Sequence, residues 1–428
     1  MKKNGYITVF VFLLISSLFI FLTLNRHSRS GIFNYHSEIW GDKAGYYIYL
    51  PLTFIYHFDA ASLPDSNDTK TGGGYSVDIQ NNIVKTKYPY GVALLQAPFF
   101  LVAHWLASPL GYENNGFTIP YNRAVDIAGV FYLMLGLFFL WTFLKKRNSK
   151  ILSFFALFFL ITTTNLYYYA IDETGMSHIY SFALFSATIW LVDIFSIKKA
   201  SHLFLLSLLF ALIFVVRPVN MLFIFFLLLL EKEKVKIWIT ELRTVKIIRA
   251  TAALVPAFMV VILQLFYWNY SSGNFITNPY KGESFTFLTN PQLLKVWFST
   301  NNGLFTYTPA WLFIIAGIFV MIFTKQPRGW VYLIFFLVLS YMSASWWSWW
   351  LGCGFGHRAY VEYLAVFMMP AIFLWNKISP YKVLQFFTIF VLLIFVLYNF
   401  QLTYVWDGCW YGGTWDWQLL WQKFLSAF

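Results

Sequence analysis

Charge is what this sequence has least of. Asp, Glu, Lys and Arg make up only 11% of the chain, less than half of the ~25% usual in soluble domains, which excludes a water-soluble globular protein. There are two cysteines, Cys353 and Cys409, and no Cys/His spacing of a zinc module. No P-loop and no G-x-G-x-x-G stretch occurs, so an ATP-driven pump acting alone is excluded. Also missing are an internal repeat, a Gly/Ser linker and a separate soluble domain.

What is present is apolar and aromatic: 59% of the residues are hydrophobic and 22% are Phe, Trp or Tyr. Many apolar runs approach the ~20 residues that cross ~30 Å of hydrocarbon. The expected fold is an all-α polytopic membrane protein, residues 1–428 forming a single integral-membrane domain. The first run, 6–24, follows Lys2 and Lys3 and has no small-x-small cleavage site before Asn25, so it reads as an uncleaved signal anchor. The net charge of +12 points away from nucleic acid, because no basic stripe carries interleaved stacking aromatics. The excess instead reads as an orientation signal, Lys and Arg marking cytoplasmic loops.

Charge bookkeeping then yields about eleven transmembrane helices, at 6–24, 124–143, 151–166, 177–196, 202–216, 219–230, 251–268, 304–324, 330–345, 361–375 and 383–400. More than half of the 30 Lys and Arg fall on the short loops this places in the cytoplasm. A crossing by the apolar run at 89–107 would put "KKRNSK" (145–150) outside, so that run is expected to lie at the interface or re-enter. Residues 25–123 become a long first extracytoplasmic loop with juxtamembrane helices, its stretch 62–76 a mobile patch of turn formers, and 401–428 an extracytoplasmic aromatic tail.

With this topology the unusual polar residues gather on one side, which places a site at the outer rim of the bilayer. Asp42, in "IWGDKAGYYIYLP" (39–51), is either a helix N-cap or a general base, with Lys43 beside it and Tyr46 and Tyr47 as walls of a sugar pocket. Glu38 is the nearest other acid. Asp172 and Glu173 form a second acidic loop, either an ordinary turn or a partner for Asp42 in positioning a hydroxyl or holding a divalent cation such as Mg or Mn, with Asp42 and Asp172 as ligands. His178 opens the next span. Arg217, with Pro218 behind it, sits between two apolar runs; it is a snorkelling anchor or a phosphate ligand. His357 and Arg358, in "GHRAYVEY" (356–363), are further phosphate-binding candidates, although an Arg358–Glu362 helical pair is an equal reading. The tryptophan-rich stretches at 345–350 and 404–421 read first as an interfacial belt. Cys353 and Cys409 lie in those two loops, where an oxidising compartment permits a disulfide; their pairing stays open here.

The stretches "GDKAGYYIYLPLTFIYH", "SHIYSF", "VVRPVN", "NNGLFTYTPAW" and "WWSWWLGCGFGHRAYVEY", in this order after a signal anchor, resemble bacterial relatives of the GT-C class of integral-membrane glycosyltransferases. That class includes protein O-mannosyltransferases and lipid A aminoarabinose transferases. The resemblance covers most of residues 1–375. It implies a polyprenyl-phosphate-linked sugar donor, a lipid, glycan or protein acceptor, and a first-loop acid as catalytic base, the place Asp42 holds. It also implies residence in a bacterial inner membrane among membrane lipids, with the site facing the periplasm or exterior. Many members carry two adjacent acids in that loop, whereas here Lys43 follows Asp42. A partner role then passes to Glu38 or to Asp172 and Glu173. The expected activity is inverting glycosyl transfer; the alternatives are a flippase for a lipid-linked saccharide and a non-catalytic polyprenyl-phosphate-binding protein.

Overall fold

A computed structural model describes the chain except for Met1, Thr244, Val245, Lys281, Ala427 and Phe428. The last two belong to the expected tail, and positions 244 and 245 to its most basic loop; both pairs lie outside the described residues. The chain is two-thirds helical and nearly all-α. In order come α1 (Lys2–Arg26), α2 (Asp42–Tyr47), α3 (Tyr49–Phe54), α4 (Asn67–Lys70), β1 (Ser76–Asp78), β2 (Ile83–Lys85), α5 (Gly91–Ala107), α6 (Ile119–Leu144), α7 (Lys150–Thr162), α8 (Leu166–Ile171), α9 (Ser177–Ile194) and α10 (Ala200–Val216). There follow α11 (Met221–Leu230), α12 (Lys232–Leu242), α13 (Ile247–Ser272), α14 (Leu293–Phe298), α15 (Leu304–Tyr307), α16 (Trp311–Phe323), α17 (Pro327–Ser345), α18 (Leu364–Ile378), α19 (Lys382–Val405) and α20 (Trp417–Leu425).

Among the described residues, 7 helices are long and apolar enough to cross a membrane, lying in α1, α5 with its extension to Leu110, α6, α9, α13, α17 and α19. Shorter apolar helices cover 150–162, 200–216, 218–230, 311–323 and 364–378. Helices dominate because hydrocarbon offers no partner for a backbone N–H or C=O, so each segment must satisfy its own. Each expected span contains a helix, with local differences: 163–165 and 361–363 are turns. The segment at 304–324 breaks between α15 and α16 at Thr308–Pro309, where proline removes an amide donor and disfavours helix before it. The run at 89–107, expected in the interface, forms a helix whose length and composition also suit a crossing.

The chain folds as two compact units. The first comprises 1–139, 169–224 and 234–281; the second comprises 140–168, 225–233 and 282–428.

In the first unit α10 packs along α13 and α9, and α5 lies against α10. The approach of α5 is close because its first residue is glycine: a Cβ on Gly91 would stand 2.5 Å from the Val215 carbonyl oxygen. The stretch 62–76, expected to be mobile, is tied down. Gly41 N–H donates to the Thr71 carbonyl (2.8 Å), and the Asn67 side-chain amide donates to the Tyr75 hydroxyl (2.8 Å). It leads into a two-stranded antiparallel hairpin pairing Val77 with Val84.

The second unit packs α16 against α17 and α18, and α7 against α18 and α19. Ser149 caps α7 through the Leu152 N–H. Cys353 and Cys409 form a disulfide joining the loop after α17 to the loop after α19.

Candidate active site

The site is built in the first unit, around the start of α2. Gly41 takes a left-handed φ of 55°, which turns the chain into the helix and leaves Asp42 as its first residue. Asp42 is therefore not the cap. Its Oδ1 accepts a hydrogen bond from the Tyr88 hydroxyl, and the Tyr88 ring packs on Tyr46 at 4.4 Å between centroids.

Asp42 and Tyr88 line a cleft of about 620 Å³ with the 72–74 glycine loop, Lys85, Thr86, Lys87 and Trp268. Ser76, Ser271, Ser272 and Thr277 complete the lining. Two local devices hold this wall. A Cβ on Gly74 would lie 1.8 Å from the Gly41 carbonyl oxygen, so only glycine lets the loop reach the head of α2. Tyrosines at the end of α13 pin β2: the Tyr267 hydroxyl accepts from Thr86 N–H (2.9 Å) and donates to the Val84 carbonyl (3.2 Å), and the Tyr270 hydroxyl accepts from Val84 N–H (3.1 Å). Lys85 ends β2 and Lys87 lies in the bend that follows, and both line the cleft. The Lys87 ammonium stands 5.6 Å from the Tyr280 ring centre. One carboxylate, two ammonium groups, an indole face and several hydroxyls make a surface suited to a sugar bearing a phosphate.

Two further contacts involve the first residues of α9. The Tyr46 hydroxyl donates to Ser177 Oγ (3.1 Å). His178, the next residue, is buried, and its Nδ1 is 3.1 Å from the Arg217 guanidinium. Arg217 stands where α10 ends, in extended backbone forced by Pro218. The structure thus places Tyr46 against Tyr88, the partner of Asp42, and His178 against Arg217. Tyr47 goes elsewhere: its hydroxyl donates to the Gly116 carbonyl (2.5 Å) and its ring packs in the core against Phe100.

Three other candidate acids of this unit are held by cations. Asp172 pairs with Arg26 (2.8 Å), Glu173 with Lys43 (3.3 Å), and Glu38 with Arg123 (2.6 Å). Burial opposes charge on Asp172, yet the Arg26 hydrogen bond and the nearby positive groups outweigh it and hold the carboxyl below the usual carboxylate range. Glu38 is likewise held low, its burial offset by a hydrogen bond with Asp126 and by His27 and Arg123. His27 shares this nest. Burial keeps its imidazole below the usual range, and its Nδ1 contacts the His36 carbonyl at 2.9 Å, so Nδ1 carries the proton.

His27, Glu38 and Asp126 are the one group of three metal-type ligands found among the described residues. It includes neither Asp42 nor Asp172, and the Arg123 guanidinium already lies 2.6 Å from Glu38 and 3.2 Å from Asp126. A cation there would have to displace or sit beside that charge, so the donor set does not favour a metal.

His357 and Arg358 belong to the second unit. His357 is buried, its Nε2 3.0 Å from the Trp349 carbonyl, and Arg358 opens a short 3₁₀ turn to Tyr360.

Sequence reasoning passed over Tyr88, Lys85, Lys87 and Trp268. A signal for the lysines was present in "VKTKYPYG" (84–91), where alternating Lys residues precede the aromatic Tyr88. It also passed over Arg26, Arg123 and Asp126; "YNRAVD" (121–126) already sets Arg123 and Asp126 one helical turn apart. The chain matches no known family model, no curated protein and no solved structure.

Proposed function

We propose that this protein is a membrane glycosyltransferase that moves a sugar from a polyprenyl-phosphate donor to a lipid, glycan or protein acceptor, with inversion, at the extracytoplasmic rim of a bacterial inner membrane. The observation that carries this reading is the cleft itself: Asp42, positioned by Tyr88, shares a polar and aromatic surface with Lys85, Lys87 and Trp268.

Asp42 takes the proton of the acceptor hydroxyl or amine. The freed lone pair forms a bond to the anomeric carbon as the bond to the phosphate oxygen breaks, and polyprenyl phosphate leaves with that electron pair. Lys85 and Lys87 meet the charge that grows on the leaving phosphate. Trp268 and the hydroxyls orient the sugar, and much of the rate gain comes from holding two substrates in register. Arg217, beside His178, is a second anchor for anionic groups. The alternative of a flippase draws on that same arginine at a break between apolar helices.

The test is mass spectrometry of glycans, glycolipids and glycoproteins in a deletion strain, complemented by wild type or by Asp42→Asn. The reading expects one sugar-bearing product to vanish on deletion and to return with wild type only. Its return with Asp42→Asn overturns the role of Asp42, and an unchanged glycan profile on deletion overturns the transferase.

A further inference from the structure

We propose that α20 is an interfacial helix, lying in the headgroup boundary of the bilayer beside the end of α19, and that its partner is lipid. This inference is independent of the proposed activity.

At about 100° per residue, α20 divides into three sectors. Leu420 is buried and Phe424 packs its ring on Tyr398 of α19 at 5.5 Å, so one sector faces the protein. The adjoining sector carries Trp417, Trp421 and Leu425, spaced by four and 51%, 60% and 45% exposed. Beyond it lie the exposed Gln418 and Gln422. Protein, apolar and polar faces in succession are what a helix meets when tucked between a spanning helix and the membrane plane.

The position agrees. Gln401 donates to the Phe424 carbonyl at 2.7 Å, so α20 folds back along the last turns of α19. Tyr398 lies seven residues before the end of α19 at Val405, about 10 Å at the rise of a helix, so α20 packs beside the terminal turns of α19. The outward surface of α19 is itself apolar, with Phe390 and Leu397 exposed, so the stripe on α20 continues a lipid-facing surface. Tryptophan suits that layer, apolar in its ring and polar at its N–H.

The fold fixes α20 in this place. Asp416 caps its N-terminus through the Leu419 N–H (3.0 Å) and donates its own N–H to Thr300 Oγ1 (2.9 Å). The Thr414 carbonyl accepts from Thr300 N–H (3.0 Å), and the Cys353–Cys409 disulfide clamps the same connection.

The test uses the full chain, oxidised and reconstituted in phosphatidylcholine vesicles, with a nitroxide on Trp421→Cys and, separately, on Trp417→Cys. The unsubstituted chain, its cysteines paired, is the labelling control. Collision with oxygen is compared with collision with a water-soluble nickel chelate, using Asp65→Cys as the water reference and Phe390→Cys as the hydrocarbon reference. The expected oxygen-to-nickel ratio at both α20 positions is several-fold above that of Asp65→Cys and below that of Phe390→Cys. Ratios equal to the water reference overturn the proposal. So does shielding from both reagents, which would show a protein partner or a second copy covering the stripe.

Discussion

Lys43 turns away from the cleft that its neighbour Asp42 lines, and its ammonium sits 3.3 Å from Glu173. Successive helical residues diverge by about 100°, so the two charges at the head of α2 serve different surroundings. Lys43 is 4% exposed and fastens α2 to the loop before α9. Lys43→Met removes the buried ammonium's contact with Glu173 and should cost about 1–3 kcal/mol of stability. The double variant with Glu173→Gln should recover part of it, as a lower loss of thermal midpoint in detergent would show.

Asp42→Asn should reduce transfer by about 10²–10⁴ with donor binding retained, because the amide oxygen still accepts from Tyr88 but takes no proton. Tyr88→Phe should be milder, near tenfold for about 1.4 kcal/mol of lost positioning. Single-turnover rates together with donor titration separate the two effects.

Lys85→Gln and Lys87→Gln should weaken binding of a polyprenyl-phosphate donor and leave a neutral sugar analogue unaffected. Equal loss for both ligands would point to a structural role for the lysines. Titration with matched charged and neutral ligands decides the matter.

Acid should loosen the first unit through Asp172. Its carboxyl is held below the usual range in the folded chain, so the stabilisation is full above the unfolded carboxylate value of about 4 and is lost as pH falls through the lower folded value. Melting curves between neutral and strongly acidic pH should drop in that window. Asp172→Asn should begin lower and lose that part of the pH dependence.

Reduction should destabilise the second unit. The disulfide closes a separation of 56 residues, and cross-links of this kind contribute about 2–4 kcal/mol. Thermal midpoints with and without reductant, and for Cys353→Ser with Cys409→Ser, should show matching losses.

Most of the helices were legible from composition and run length, because hydrocarbon accepts few backbone solutions and apolar segments announce themselves. The run at 304–324 was legible as apolar, but its break rests on Pro309. The hairpin at 76–85 was missed because three-residue strands leave no measurable alternation.

At the site the division is sharper. Order along the chain singled out Asp42, since a carboxylate in an aromatic loop after the first apolar helix is rare in so apolar a sequence. Order along the chain could not say that Glu38, Asp172 and Glu173 are engaged by Arg123, Arg26 and Lys43. Those partners lie 85, 146 and 130 residues away. Nor could it place Tyr88 on Asp42 or Trp268 across the cleft. A spanning segment is a one-dimensional property, set by transfer of each residue from water to lipid. Which charges neutralise one another, and which side chains face a common cavity, depends on how those segments pack.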